Sequence, residues 1–310
     1  MTTVHPNLKQ ISHSALSTLH ACPRKFELEK LQTSSHGWGD THFDFGHVVG
    51  EGLQNFFLTN GDVKDTLFKM FMRWQSDIDE DSADRSKANK TFWHALHAIE
   101  RFVPYSTSVF ANHELAYFNN RPAVELGFCI DCGDGYAYRG FVDLVLVNKM
   151  TGRLVAVENK TTSSWNLSEA QYKNSGQGLG YSLMLDVVAS AMGLPVVSDH
   201  PVFYPVYKTK DFDWEVFQFI KSRTSRAKWI KNLMMDKTML QLYNDNDFFP
   251  MHGESCRDFN RDCAFFGVCE MSNESLVGSE PEVREEPADK YDFYFSLEDI
   301  IDEQLKQLEG

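Results

Sequence analysis

The chain has 310 residues, 42% hydrophobic and 24% charged, which suits one large soluble domain or two modest ones. No apolar run reaches the ~18–20 residues of a membrane span, and Met1–Gln10 lacks the apolar core of a secretory signal, so a cytoplasmic protein with no membrane role is expected. The net charge of −14 is uneven: residues 271–310 hold 12 acidic and 3 basic side chains, a balance of −9, which leaves −5 on the other 270 and keeps a local basic groove for nucleic acid open.

Residues 12–31 read as a helix that Ser12 or Ser14 can cap, with Ala15, Leu16, Leu19, Phe26 and Leu28 at rough helical spacing. Pro23 inside it predicts a break just after Cys22. Residues 46–58, 63–78 and 90–103 predict further helices, so the N-terminal part is mainly helical. The middle changes character. Ala123–Asp131 and Tyr136–Asn148 are β-rich and flank the turn sequence Cys132-Gly-Asp-Gly135. Arg153–Thr162 predicts a third strand, and Ser168–Met192 a helix weakened by Gly176, Gly178 and Gly180. Val202–Lys208 and Trp214–Ile220 predict two more strands, and 221–244 a helix. The order β-β-β-α-β with flanking helices gives an α/β core. Residues 271–295 compose an acidic linker expected to be disordered. Residues 296–310 predict an amphipathic helix: Ser296 and Asp299 form a capping pattern, and Leu297, Ile300, Ile301, Leu305 and Leu308 an apolar stripe. This tail is expected to dock a protein partner or to cover the site in an autoinhibitory way.

Two strands end in charge. Gly140-Phe-Val-Asp143 is followed at hairpin distance by Val155-Ala-Val-Glu158-Asn-Lys160. Period-two alternation puts Glu158 and Lys160 on one face, and a short turn brings Asp143 near it. Two carboxylates can hold Mg²⁺ or Mn²⁺, which prefer oxygen ligands, and the backbone carbonyl of Asn159 adds another. A lysine beside them can orient water or meet developing charge, the mixture that phosphodiester hydrolysis needs. A Glu-x-Lys triplet alone is common on solvated hairpins. The preceding Gly-x-x-Asp raises the functional reading, and so do Gln177 and Tyr181, which share a helix face at i, i+4.

Six cysteines occur in a chain expected to be reduced. Cys256, Cys263 and Cys269 lie close in sequence, and Cys22 is distant. Four thiolates can hold an iron–sulfur cluster or a tetrahedral Zn²⁺, and the spacing weighs metal binding evenly against incidental cysteines. Cys129 and Cys132 flank a hairpin turn and read as structural. His94 and His97 share a helix face and read as packing residues. Tyr204, Tyr207 and Lys208 read as ordinary sheet positions, with a DNA channel as the rarer alternative.

Taken together, Ile11-Ser-His-Ser14 … Cys22-Pro-Arg-Lys-Phe26, Gly140-x-x-Asp143, Glu158-Asn-Lys160, Gln177-x3-Tyr181 and the three late cysteines resemble RecB-like PD-(D/E)xK exonucleases with an iron–sulfur cluster. These include the nuclease of AddAB-type helicase complexes, CRISPR-associated adaptation exonucleases and phage exonucleases. The resemblance covers roughly residues 11–270, and its specificity lies in the order of all five elements. It implies a restriction-endonuclease-like core, with a mixed central sheet flanked by helices, in one domain over 1–270. It implies Mg²⁺- or Mn²⁺-dependent cleavage of DNA, commonly exonucleolytic on single strands or ends, in recombination, repair or phage DNA metabolism. The setting is a bacterial cell or a phage-infected host. A [4Fe–4S] cluster on Cys22, Cys256, Cys263 and Cys269 follows, with Zn²⁺ as the alternative. Six residues separate Cys256 from Cys263, where the family often has two. Where the family has a histidine in Phe-Gly-x-x-x-His, this chain has Gly50 in Phe45-Gly46-His-Val-Val-Gly50-Glu51. Glu51 is the expected substitute ligand and His47 the alternative. No Gly-x4-Gly-Lys-Ser/Thr pattern occurs, so no nucleoside triphosphate is expected to bind. Two other readings remain: a non-catalytic DNA-binding recombination accessory with this fold, and a cytosolic zinc protein with a structural role.

Overall fold

The computed structural model describes residues 4–31, 41–74, 89–164, 166–194, 200–258, 261–276 and 291–306. Its helices are α1 (His13–Ala21), α2 (Pro23–Leu31), α3 (Thr41–Leu58), α4 (Val63–Arg73), α5 (Phe92–Ser106), α6 (Glu169–Lys173), α7 (Gly176–Ala191), α8 (Arg223–Asp245), α9 (Asn273–Leu276) and α10 (Leu297–Lys306). Its strands are β1 (Gln10–Ile11), β2 (His113–Leu115), β3 (Tyr117–Phe118), β4 (Arg121–Pro122), β5 (Val124–Asp131), β6 (Ala137–Asn148), β7 (Leu154–Val157), β8 (Lys160–Thr162), β9 (His200–Lys208), β10 (Asp213–Lys221), β11 (Arg257–Asp258), β12 (Arg261–Asp262) and β13 (Phe293–Ser296). The expected mixed α/β class is the one observed. Positions 75–78 and 307–308, expected to extend two helices, lie outside the described residues, as do 277–290 of the expected linker.

Contacts divide the chain into two compact units. One is Gly37–Leu126 with Phe141–Arg226; the other is Met1–His36, Gly127–Gly140 and Ala227–Gly310. The expected boundary near residue 270 therefore falls inside the second unit.

In the first unit the strands run β10-β9-β7-β6. The pairs β10–β9 and β6–β7 are antiparallel, whereas β7 and β8 both run parallel to β9. This is a mixed sheet. Alternation sorts its residues by face. Leu144, Leu146, Val155, Val157, Phe203 and Tyr207 join one core cluster with apolar residues of α3 and α5. Aromatic rings fill its centre: Phe102 meets Phe56 at 5.8 Å, Phe110 at 5.5 Å and Trp214 at 5.2 Å between centroids. The opposite face, through Ala156 and Tyr204, carries α7, whose Gly178 lies against Tyr204.

Two expected elements are interrupted here. Arg153–Thr162 is not one strand, because the Asn159 N–H donates to the Asp143 carboxylate at 2.8 Å rather than to a ladder carbonyl. Ser168–Met192 is two helices. Ser175 stands in a non-helical conformation as the cap of α7, accepting from the Gly178 N–H at 3.4 Å.

In the second unit, Ser12 caps α1 by accepting from the Ala15 N–H at 3.2 Å, and Cys22 is the extended joint between α1 and α2, as Pro23 predicts. Tyr138 and Trp229 meet edge to face at 5.2 Å, and Phe26 stacks on Phe249 at 6.3 Å. Part of the segment expected to be a disordered linker is a strand: β13 pairs in parallel with β5, from Phe293↔Phe128 to Ser296↔Asp131. An edge strand presents unpaired N–H and C=O groups, and the Phe-Tyr-Phe-Ser sequence satisfies them. Asp292 extends the pairing: its N–H donates to the Gly127 carbonyl and its carboxylate accepts from the Gly127 N–H, both at 2.9 Å.

Candidate active site and thiol cluster

The antiparallel register of β6 and β7 ends at Leu144↔Val157, and one further step sets Asp143 against Glu158. Lys160 sits opposite Val206 of β9, on the face that carries α7. The sequence-expected residues do converge. Lys160 Nζ donates to Glu158 Oε1 at 2.5 Å and to Gln177 Oε1 at 3.3 Å. Gln177 Nε2 donates to the Tyr181 hydroxyl at 2.7 Å. That hydroxyl in turn faces Glu158 Oε2 at 2.8 Å and the Phe141 carbonyl at 2.6 Å. One turn of α7 thus fixes both the lysine and the glutamate, and Tyr181 and Glu158 are buried. Asn159 holds Asp143 twice, through its backbone N–H and its side-chain amide, both on Oδ2.

Asp143, Glu158 and Asn159 border a cleft of ≈ 310 Å³ that is also lined by Gly46, His47, Gly50, Glu51, Gln54 and Glu125. Burial pushes the Asp143 carboxyl well above its ordinary value; Glu158 adds strongly and Glu125 weakly, while the Asn159 N–H and Lys160 oppose. For Lys160, burial works downward, but the charges of Glu158 and Asp143 outweigh it and the ammonium is held above its usual value. The Asp143 and Glu125 carboxyls, whose ionisation burial and neighbouring carboxylates oppose, are a donor set that a divalent cation would relieve.

Glu51 and His47 both reach this cleft, and both are exposed. The Glu51 carboxylate accepts from Arg73 Nε at 2.7 Å. Two cleft residues were missed by the sequence reading. Glu125 adopts a left-handed backbone, φ 49°, and its carboxylate accepts from Gln54 Nε2 at 2.5 Å. Burial raises its pKa, the Gln54 bond opposes, and Glu158 and Glu51 add to the rise. A glutamate in the middle of a β-rich stretch carries no signal of this. The positive φ that turns it is a property of the folded chain.

In the second unit, Cys22 is buried and Cys256, Cys263 and Cys269 are partly so; all four are free thiols. Burial pushes the Cys269 thiol up, and the nearby Cys22, Cys263 and Cys256 push the same way while Arg24 opposes. Cys22, Cys256 and Cys263 thus lie close enough to influence Cys269 electrostatically. Among the described residues no three His, Cys, Asp or Glu side chains are drawn in to metal-binding geometry. The donors nevertheless suit a thiolate-bound metal: soft sulfur, four in number, on segments far apart in sequence. Cys129 and Cys132 are buried, and burial pushes the Cys132 thiol up to about 11, which suits an inert structural residue.

The remaining candidates are packing residues. His94 stacks on Phe212 at 4.9 Å and meets Thr91 Oγ1 at 2.7 Å; His97 accepts from Arg101 at 3.4 Å. Tyr204 and Tyr207 are buried, and Lys208 pairs with Asp211 and Glu215 at 3.1 and 3.5 Å. No helix among the described residues is long and apolar enough to cross a membrane.

A comparison with curated proteins finds no match. Among solved structures, a candidate exonuclease from Eubacterium rectale is similar at 12% identity, covering 88% of this chain and 94% of that one, with a TM-score of 0.48. The crystal structure of SSO0001 is similar at 14% identity over 73% of this chain and 87% of that one, with a TM-score of 0.24. The family model of the PD-(D/E)XK nuclease superfamily matches residues 10–270, a span that contains the Asp143–Glu158–Lys160 arrangement and Cys22, Cys256, Cys263 and Cys269. The chain belongs to the PD-(D/E)XK nuclease superfamily.

Proposed function

We propose that this chain is a Mg²⁺- or Mn²⁺-dependent DNA nuclease, acting as an exonuclease on single strands or ends, in recombination, repair or phage DNA metabolism. One observation carries the reading. Asp143 and Glu158 line one cleft, and Lys160 is bonded to Glu158 and held between it and Gln177. Asp143, Glu158, the Asn159 carbonyl and, from the structure, Glu125 would hold the cation, with Glu51 at the rim. When bound, the cation would supply charge neutralisation at the scissile phosphate.

The chain's own groups do the rest. Lys160 presents its ammonium where charge develops and orients the attacking water. Gln177 and Tyr181 set the positions of Lys160 and Glu158 through the bonds above. Asn159 keeps Asp143 aimed into the cleft. Cys22, Cys256, Cys263 and Cys269 would hold a [4Fe–4S] cluster with a structural role, joining the N- and C-terminal segments of their unit. The C-terminal segment from Tyr291 is the candidate surface for a protein partner.

The test is cleavage of end-labelled single- and double-stranded DNA with Mg²⁺ or Mn²⁺, comparing wild type with Lys160→Ala. Metal-dependent cleavage that falls by about 10²–10³ in the variant supports the assignment, and the product ladder gives the polarity. Cleavage unchanged by the substitution removes Lys160 from the chemistry. No cleavage by folded, metal-supplied wild type removes the nuclease reading.

A further inference from the structure

We infer that Arg24 is the positioning residue of the four-thiol site, fixing the backbone that carries Cys269 to the helix that begins beside Cys22. The inference rests on the cluster reading of those thiols and goes beyond it by naming what holds the site's late ligands in place.

The stretch that carries the late cysteines has little structure of its own. It consists of a single 3₁₀ turn at Gly253–Ser255, the two-residue strands β11 and β12, and the four-residue helix α9. Such a segment orders only by fastening to something firmer, since each ordered residue costs about 1–2 kcal/mol of chain entropy. Its fastenings converge on the joint around Cys22. The Ala21 carbonyl accepts from Ser255 Oγ at 2.6 Å and from His252 Nδ1 at 3.1 Å, just before Cys256. The Cys263 N–H donates to the Cys256 carbonyl at 2.8 Å. The Arg24 N–H donates to the Pro250 carbonyl at 3.0 Å.

The region of Cys269 is held by the Arg24 side chain. Its Nε donates to the Cys269 carbonyl at 3.1 Å, and Nη2 to the Met271 carbonyl at 2.5 Å. Nη1 donates to Asn273 Oδ1 and to Glu27 Oε2, each at 2.6 Å. Asn273 Nδ2 closes the loop by donating to Glu27 Oε1 at 2.6 Å. The Arg24 side chain is 10% exposed and that of Glu27 4%. A buried ion pair is poor value as general stabilisation, because desolvation offsets most of its attraction. Its use here is directional. A planar guanidinium offers five N–H groups in a fixed fork, and four bonds to partners at Glu27, Cys269, Met271 and Asn273 fix a backbone path that a lysine cannot reproduce.

The test uses the full chain, reconstituted anaerobically with iron and sulfide, and in parallel loaded with Cd²⁺ alone. Wild type, Arg24→Lys, Asn273→Ala and Cys269→Ser are compared by visible absorption, by metal per chain, by the rate of metal loss to a chelator and by thermal stability. Arg24→Lys is expected to lose metal about 10–100-fold faster than wild type, the usual effect of removing a group that orients a ligand. It should also shift the thiolate absorption toward that of Cys269→Ser, and Asn273→Ala should fall between. A purely structural role would lower the melting temperature of Arg24→Lys and leave the spectrum and stoichiometry at wild-type values; that result overturns the inference. Should Arg24→Lys not fold, Asn273→Ala decides alone, with a wild-type spectrum and release rate counting against the role. Wild type that takes up neither cluster nor Cd²⁺ would instead defeat the cluster reading beneath it.

Discussion

Tyr181→Phe isolates one hydroxyl at the centre of the candidate site. Phenylalanine keeps the ring, which is 2% exposed, so the packing of α7 is preserved. What is lost is the oxygen that receives the Gln177 amide at 2.7 Å and serves Glu158 Oε2 at 2.8 Å and the Phe141 carbonyl at 2.6 Å. Gln177 is half-buried and can turn its freed N–H to solvent. Glu158 is 3% exposed and cannot. Stranding a buried acceptor costs about 1–3 kcal/mol, with charged groups at the upper end. The one hydroxyl proton serves one acceptor at a time, so the loss is about 1–3 kcal/mol. The effect on function should exceed that of a packing defect, because Glu158 would keep Lys160 as its partner and lose its other restraint. Calorimetric titration of Mn²⁺ should show weaker binding by about 10–100-fold, and chemical denaturation should show the stability loss. Wild-type stability together with wild-type Mn²⁺ affinity in Tyr181→Phe would refute the claim that this hydroxyl sets the geometry of Glu158.

Two other substitutions probe the support beneath the site. In Gly178→Ala the added carbon would lie 1.9 Å from Tyr204 Oη, on a ring that packs at 5.3 Å from Tyr172 and so cannot swing away. Helix α7 must shift instead, for about 1–3 kcal/mol or more of stability, and DNA cleavage should fall because Gln177 and Tyr181 ride the same helix; a wild-type melting temperature would show that the contact relaxes freely. Lys221 is 1% exposed and donates to the carbonyls of Tyr172 and Lys173 at 2.9 and 2.7 Å, and burial lowers its pKa to about 8. The unfolded chain holds this proton up to about 10.4. Below about pH 8 the folded state carries the full penalty of a buried charge, and the penalty is relieved as pH rises from there toward the unfolded value. Wild type should therefore gain on Lys221→Met by at most about 3 kcal/mol between pH 7 and 10.5, and parallel stability curves in denaturant would contradict the depressed lysine.

Much of the site was legible because strands and helices have fixed periods. The two-residue repeat placed Glu158 and Lys160 on one face, and the i, i+4 spacing placed Gln177 and Tyr181 together; the structure joins all four by hydrogen bonds. Pro23 located the joint at Cys22 for an equally local reason. What stayed hidden depends on partners distant in sequence. The stop between β7 and β8 arises because an aspartate 16 residues away takes the Asn159 N–H. Glu125 enters the cleft through a left-handed backbone that nothing in Val124-Glu-Leu-Gly announces. Charge made the C-terminal segment read as a linker up to residue 295, yet Phe293–Ser296 meets an open strand edge that only the fold creates. Arg24 sits in the Cys-Pro-Arg-Lys-Phe motif, but three of its four side-chain partners lie 245 to 249 positions later.

The departure at Gly50 has a local explanation in the same terms. A carbon added there would lie 3.1 Å from Asn159 Oδ1 and 3.2 Å from its Nδ2, closer than ordinary contact. The Asn159 side chain thus occupies the space that a side chain on this turn of α3 would enter, and from there its amide reaches Asp143. A side chain at position 50 would require the Asn159 amide to give way by a few tenths of an ångström. The space left at Gly50 and the side-chain half of the hold on Asp143 are therefore coupled, whereas the backbone half is not. It follows that the oxygen donors of this cleft cannot be counted by matching motif positions one at a time. On the proposed reading, glycine would forgo a nitrogen ligand, while the Asn159 amide has room to hold the half-buried Asp143 carboxylate, whose ionisation burial opposes. Glu125, fastened by Gln54 from the same helix α3, brings a further oxygen to the cleft. On the proposed metal-dependent reading, a donor set poorer in nitrogen and richer in carboxylate would favour Mg²⁺ or Mn²⁺ over softer metals.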